Sequence, residues 1–150
     1  MHIRRAILND GSIIAEFNAR LAQETENLSL DRARLEQGVG AALSDPLKAT
    51  YFLAEIDGAV AGQLMVTHEW SDWRNGDMWW IQSVYVAGEF RRQGVFKALY
   101  EHVKDQARKA GAAGIRLYVE RNNLNAQETY QKLGMSITKY LVMEEDLRAE

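Results

Sequence analysis

Apolar residues recur along the chain with two different periods, and these periods predict an ordered mixture of helices and strands. Where they recur every three or four positions, as at Ile13, Phe17 and Leu21, one face of a helix is apolar. Where they alternate with polar residues or form short unbroken runs, the pattern is typical of strands. The predicted helices span residues 12–22, 31–43, 95–110 and 126–133. The predicted strands span residues 3–8, 51–56, 59–68, 78–86, 115–119 and 137–143.

Two dipeptides mark tight connections between consecutive strands. Asp57-Gly58 and Asn75-Gly76 are both typical of hairpin turns, because these residue types tolerate the positive φ that such turns require. Strand–helix–strand units follow in the last third of the chain. Hairpins in the middle and strand–helix–strand units at the end predict an α/β fold, in which helices pack against a mixed sheet.

Length and composition narrow the class of protein. The 150 residues, 47% of them hydrophobic and 26% charged, fit one soluble domain over residues 1–150. A net charge of -3 argues against a nucleic-acid partner. The absence of cysteine excludes disulfides, thiolate metal sites and cysteine nucleophiles. No stretch has the pattern of a signal peptide or the length to cross a bilayer, so we expect a cytoplasmic protein with no membrane partner.

One turn between a predicted strand and a predicted helix has the composition of an anion site. Arg91-Arg92-Gln93-Gly94 precedes the helix that begins at Val95. The first N–H groups of a helix lack intrahelical partners and carry partial positive charge, and a glycine lets a phosphate approach the backbone. The sequence therefore predicts a pyrophosphate site here. The alternative is an ordinary charged turn before an amphipathic helix.

Two motifs carry a resemblance to a known family. Arg91-x-x-Gly94-x-Phe96, after a strand that ends in Val84-Tyr85-Val86, resembles the coenzyme A signature of the GNAT (GCN5-related) N-acetyltransferases. Phe96 stands where the family usually has Gly or Ala. A second run of residues resembles a later element of the same family, with Met135 in place of the usual Phe. It comprises Asn123, Ala126, Tyr130, Lys132, Gly134 and Met135.

The resemblance implies both a fold and a reaction. The fold would have a mostly antiparallel sheet with helices on both faces and a V-shaped opening between two central parallel strands. The reaction would move the acetyl group of acetyl-CoA to a primary amine by direct attack, without a metal. The implied catalytic residue is Tyr130, which would give a proton to the leaving sulfur. The residues implied to bind the coenzyme are Val84, Tyr85, Val86, Arg91, Arg92, Gln93, Gly94, Val95, Phe96, Asn123 and Ala126.

The acceptor side is less well defined. Residues 69–86 are similar to the diamine acetyltransferase branch of the family, but Gln82-Ser83 replaces its usual Glu-Asp. Gln82 cannot act as a base, although it can orient a substrate or hold a water. The family forms one wall of its acceptor cleft from the first two helices, so Glu24 and Glu26 are predicted to bind the amine. Trp73 lies in a loop where it could contact a cation.

Three functional hypotheses remain from the sequence. The first is an enzyme that acetylates a small-molecule amine. The second is an enzyme that acetylates a protein N-terminus or lysine, and the third is a sensor that binds an acyl-CoA without turnover. Exposed tryptophans and sheet edges also favour a homodimer.

Overall fold

A five-stranded sheet organises the first of two units into which the chain divides. The computed structural model describes residues 1–148; the first unit is Met1–Tyr118 and the second begins at Val119. The strands, numbered in chain order, are β1 His2–Arg5, β2 Thr50–Ile56, β3 Ala59–Ser71, β4 Gly76–Val86 and β5 Gly114–Leu117. The helices are α1 Gly11–Glu26, α2 Arg32–Ser44 and α3 Val95–Lys109 in the first unit, and α4 Leu124–Lys132 in the second.

The strands follow one another across the sheet in chain order. The pairs β1–β2, β2–β3 and β3–β4 are antiparallel, and β4–β5 is parallel. Asp57 (φ 51°) and Gly58 (φ 79°) make the predicted β2–β3 turn, since a two-residue hairpin of this hand needs positive φ at both positions. The predicted mixed and mostly antiparallel sheet is confirmed.

Helices cover both faces of this sheet. Successive residues of a strand point to opposite faces. Leu53 of β2 packs with Ile14 of α1 and Val39 of α2, whereas the ring centroid of its neighbour Phe52 lies 5.3 Å from that of His102 in α3. Therefore α1 and α2 lie on one face and α3 lies on the other.

The parallel pairing covers only part of β4. Their pairing runs from Met78 opposite Gly114 to Ile81 opposite Leu117, and β4 continues to Val86 without a β5 partner. One extra residue on β4 also interrupts the β3–β4 ladder there, and Ser83 adopts a φ of 51°. Within the described chain β4 therefore has an unpaired edge beyond Ile81, and a β-bulge lies near the start of this edge.

Two strand predictions need correction. Residues 137–143 do not form a strand in the described chain, and their apolar side chains, among them Leu141 and Met143, are exposed. Their apolar run suits a strand, but a strand is stabilised by a partner ladder, and residues 1–148 provide none here. As a result, β5 lies at the sheet edge rather than in its centre. The first strand ends at Arg5, because a 3-10 turn begins at Leu8.

Gly62 of β3 occupies a position with no room for a side chain. A Cβ there would lie 2.8 Å from Cγ1 of Val95 and 3.0 Å from the backbone oxygen of Tyr85. We expect Gly62→Ala to lower the free energy of unfolding by about 1–3 kcal/mol, the usual cost of overpacking, because a backbone oxygen cannot move aside. Urea unfolding measures this loss.

Gly114→Ala is the matched control on β5. Its Cβ would meet Cε of Met78 at 2.6 Å, but that atom is the end of a flexible side chain and can rotate away. A loss in Gly114→Ala as large as that in Gly62→Ala would contradict this explanation.

Candidate functional site

A row of free backbone N–H groups lies in the turn between β4 and α3. Arg92 (φ 64°) and Gly94 (φ 75°) both adopt left-handed conformations shortly before α3 begins. The N–H groups of Arg92, Gln93, Gly94 and Val95 donate no hydrogen bond to any of residues 1–148. A concave turn of this kind, at the positive end of a helix, is suited to an anion with several oxygens.

The first arginine of this turn is held by two other residues of the site. Arg91 donates from Nε to the carbonyl oxygen of Val86 at 3.0 Å and from Nη2 to Oε1 of Glu24 at 2.7 Å. The hydroxyl of Tyr85 donates to Oε2 of the same carboxylate at 2.5 Å. Glu24 therefore links the end of α1 to both β4 and the turn.

These contacts affect the pKa values of both Glu24 and Tyr85. The hydrogen bond from Arg91 holds the pKa of the Glu24 carboxyl below its usual range, and the one from Tyr85 lowers it further. Burial raises the pKa of the Tyr85 phenol, and the adjacent carboxylate raises it again. At neutral pH Glu24 is an anion that is already engaged, so it is a poor proton acceptor for an amine.

Arg92, unlike Arg91, has a guanidinium that is not engaged by the described residues around it. Its side chain is exposed, and its guanidinium forms no hydrogen bond or ion pair within the described part of the chain. Arg91 therefore fixes the shape of the turn, whereas Arg92 retains all its donors for a ligand.

A buried amide supports the bulge of β4. Gln63 of β3 is fully buried and donates from Nε2 both to the carbonyl oxygen of Ser83 at 3.1 Å and to Oδ1 of Asn18 at 3.2 Å. This residue was missed at the sequence level. The available signal was a lone amide within the apolar run Val60–Val66, since such a residue needs buried partners.

A cleft of about 440 Å³ opens between the first two helices and the bulge. Of the four residues predicted for the acceptor, Glu26 alone is part of its lining. The lining is apolar along α1 and α2, and polar at the bulge and at the helix ends. It comprises Asn18, Leu21, Ala22, Glu26, Leu30, Arg34, Leu35, Gly38, Val39, Tyr51 and Ser83.

The structure places Gln82 and Trp73 outside this lining. Gln82 donates from Nε2 to Oγ1 of Thr67 at 2.7 Å, so its amide joins β4 to β3. Trp73 is 91% exposed in the β3–β4 turn. The part of β4 between Gly76 and Ser83 extends roughly 23 Å at about 3.3 Å per residue, which separates Trp73 from the bulge.

The second motif lies in the second unit, where it builds the start of α4. Asn123 is the N-cap residue, and its Oδ1 accepts a hydrogen bond from the N–H of Ala126 at 3.1 Å. The side-chain Nδ2 of Asn123 stays available as a donor, whereas its backbone N–H donates to the carbonyl oxygen of Glu120 at 3.0 Å. Tyr130, two turns along the helix, is half-buried, and burial raises the pKa of its phenol.

Metal-binding clusters and membrane-spanning helices are both absent from residues 1–148. Among residues 1–148, no group of three or more His, Cys, Asp or Glu side chains could hold a metal ion. No helix of the described chain is both long enough and apolar enough to cross a membrane.

Comparison with known proteins shows which family the chain resembles. The model of the Acetyltransferase (GNAT) family matches residues 13–135. The mycothiol acetyltransferase of Corynebacterium aurimucosum is 28% identical over 125 residues, which are 81% of this chain and 41% of that protein. The chain thus spans about two fifths of the length of this curated relative.

Solved structures resemble the chain along nearly its whole length. A possible acetyltransferase from Clostridium difficile 630 is 44% identical with a TM-score of 0.92, and the match covers 99% of this chain and 98% of the other. A predicted acetyltransferase from Clostridium acetobutylicum, solved with acetyl-CoA, is 15% identical with a TM-score of 0.79. That match covers 96% of this chain and 95% of the other, and it concerns the fold alone.

Proposed function

Because the chain belongs to the GNAT acetyltransferase family, we propose that it transfers the acetyl group of acetyl-CoA to the primary amine of a small molecule. One observation carries the proposal: a row of unengaged N–H groups, at Arg92–Val95, follows the unpaired edge of β4. The row suits the pyrophosphate of the coenzyme. The edge suits its extended amide-containing arm, which can pair with a strand.

The residues of the turn fit the coenzyme. A Cβ at Gly94 would meet no protein atom within 4 Å, so the backbone there is open to a phosphate. Arg92 contributes the free guanidinium. Val84–Val86 offer the backbone edge for the arm, whereas the roles of Asn123 and Ala126 stay predictions from the sequence motif. When bound, acetyl-CoA supplies an acetyl group activated as a thioester.

The cleft lined by α1, α2 and the bulge is proposed to hold the acceptor. Its volume of about 440 Å³ lies at the small end of the range for ligand pockets, which favours a small molecule. Glu26 is the carboxylate of this cleft, and we assign it to the amine, whereas Glu24 positions Arg91. Gln82 is assigned to holding β4 against β3, and Trp73 has no part in the proposal.

The amine must lose a proton before it attacks. A free alkylamine has a pKa of about 10.4 and is a cation at neutral pH. Glu26 would attract that cation and hold it in the cleft, whose lining also includes Ser83. A water or the bulk solvent then takes the proton, and the neutral amine attacks the thioester carbonyl.

The proposed function is tested by thiol release. Purified protein is given acetyl-CoA with a panel of small amines and a peptide with a free N-terminus, and the products are identified by mass spectrometry. We expect release of coenzyme A with a small amine and formation of its N-acetyl product. Tight binding of acetyl-CoA without release for any acceptor would support the sensor, and acetylation of the peptide alone would support the protein acetyltransferase.

Glu26→Gln tests the acceptor assignment. The change keeps the shape of the side chain and removes its charge, so we expect the KM for the amine to rise on the order of 3–10-fold, as for a partly exposed ion pair. The KM for acetyl-CoA should be unchanged. Steady-state kinetics with each substrate varied in turn measures both values.

Glu36→Gln is the control for Glu26→Gln. It removes the same charge from an exposed position of α2 that does not line the cleft. A similar rise in both variants would reflect net charge rather than contact, and an equal rise for both substrates would also count against the assignment.

A further inference from the structure

The acceptor cleft contains two opposite charges. Glu26 is the last residue of α1, and Arg34 lies in the first turn of α2; both are exposed and both line the cleft. Neither side chain forms an ion pair or a hydrogen bond with any residue from 1 to 148. They are not paired with each other either, so each can bind a ligand group of the opposite charge.

No neighbouring charged side chain among residues 1–148 pairs with the guanidinium of Arg34. Arg32, two residues earlier, forms two ion pairs. Its Nη2 lies 3.0 Å from Oε2 of Glu16, and its Nε lies 3.4 Å from Oε1 of Glu36. Asp31 uses Oδ1 to accept a hydrogen bond from the backbone N–H of Arg34 at 3.2 Å, which caps α2. This cap fixes the position of Arg34 while leaving its guanidinium at the cleft. The positive end of the α2 dipole adds to its attraction for an anion.

The rest of the cleft is apolar on its helical walls. Val39 and Ala22 are buried there, and the lining also has the aliphatic side chains of Leu21, Leu30 and Leu35. Polar groups of the lining come from Asn18, Tyr51 and Ser83. The lining thus offers one anion, one cation and an aliphatic wall within about 440 Å³.

From these contacts we infer that the acceptor is an aminocarboxylate of amino-acid size with an apolar body, whose amine is bound by Glu26 and whose carboxylate is bound by Arg34. The inference rests on the proposed function and names its substrate class. A guanidinium binds a carboxylate through two parallel hydrogen bonds, so Arg34 would orient the acceptor as well as attract it.

The same arrangement discriminates against other amines. A diamine or polyamine would place a second ammonium group near Arg34, where like charges repel. A simple alkylamine would leave the guanidinium without a partner. Arg34 is therefore the residue that would select a zwitterion over a cation.

The test compares three acceptors that share one aliphatic body. L-Leucine has the amine and the carboxylate, leucinamide has a neutral amide instead, and 3-methylbutylamine lacks the group altogether. Thiol release is measured for each with wild-type protein, Arg34→Gln and Arg32→Gln. The last variant removes the same charge two residues away, from a side chain that does not line the cleft.

We expect kcat/KM of the wild type to be about tenfold or more higher for L-leucine than for either analogue, as for a charge-assisted pair of hydrogen bonds. Arg34→Gln should remove this preference by lowering the value for L-leucine to that of its analogues, while Arg32→Gln should preserve it. Turnover of 3-methylbutylamine equal to that of L-leucine in the wild type, or a preference that survives Arg34→Gln, would overturn the inference and leave the proposed function standing. Binding of acetyl-CoA without turnover of any of the three would overturn the inference, and the proposed function would be overturned only if no amine of the panel were turned over.

Discussion

Gly94→Asp is expected to raise the Kd for acetyl-CoA at least roughly 100-fold, which is about 2.7 kcal/mol. The residue lies in the middle of the free N–H row, and its φ of 75° already disfavours a side chain. An aspartate there adds a negative charge close to the proposed pyrophosphate. Two unit charges 4 Å apart repel by about 4 kcal/mol at an effective dielectric constant of 20. Isothermal titration calorimetry on the folded variant measures the loss.

Gly111→Asp separates this effect from backbone strain. Gly111 follows the other end of α3 and has the same φ of 75°, and a Cβ there would also meet no atom within 4 Å. The 15 residues of α3 place it roughly 22 Å away at about 1.5 Å per residue. We expect this variant to bind acetyl-CoA like the wild type. Equal weakening in both variants, or wild-type affinity in Gly94→Asp, would contradict the location of the pyrophosphate.

The parts of the fold that depend on local sequence could be predicted. The β2–β3 turn follows from Asp57-Gly58, because two residues with positive φ suffice to define it. The turn before α3 also follows from its own residues, with Gly94 in the left-handed region just before the helix. In both places the conformational preference of a few adjacent residues determines the structure, and the period of the apolar residues does the same for the helices.

Contacts between distant residues could not be predicted in this way. Glu24 and Arg91 were assigned to different substrates, yet they pair with each other across 67 positions of sequence. No local pattern shows that α1 ends where β4 turns into α3. The same applies to Gln63, whose two acceptors lie on α1 and β4. Arg34 could not be distinguished from Arg32 in the sequence, because only the packing of α1 on α2 determines which of them is engaged.

Residues 137–143 show that a local pattern can also predict an element that does not form. Residues 140–143 of this segment form a short apolar run like those of the true strands, and the sequence therefore predicts a strand. Such a run shows which side chains could be buried, but the backbone groups still need a neighbouring strand. In residues 1–148 that neighbour is absent, so the pattern alone did not determine the structure.

Tyr130→Phe is expected to lower kcat roughly 100-fold, within the usual contribution of a general acid. When the acetyl group has been transferred, coenzyme A leaves as a thiolate, and a proton donor near the sulfur lowers this barrier. Burial raises the pKa of the Tyr130 phenol. The phenol therefore stays protonated at neutral pH and can act as the proton donor. The loss should therefore be constant from about pH 6 to pH 9, below the usual phenol pKa of about 10.

The variant is informative because it keeps the aromatic ring and removes only the oxygen. Tyr140→Phe, at an exposed position of the same unit, removes an equivalent oxygen and should leave kcat unchanged. Urea unfolding of both variants checks that neither has lost its structure. If Tyr130→Phe turned over near the wild-type rate while single-turnover kinetics showed chemistry to be rate-limiting, the thiolate would leave without this proton, and Tyr130 would serve α4 only by packing.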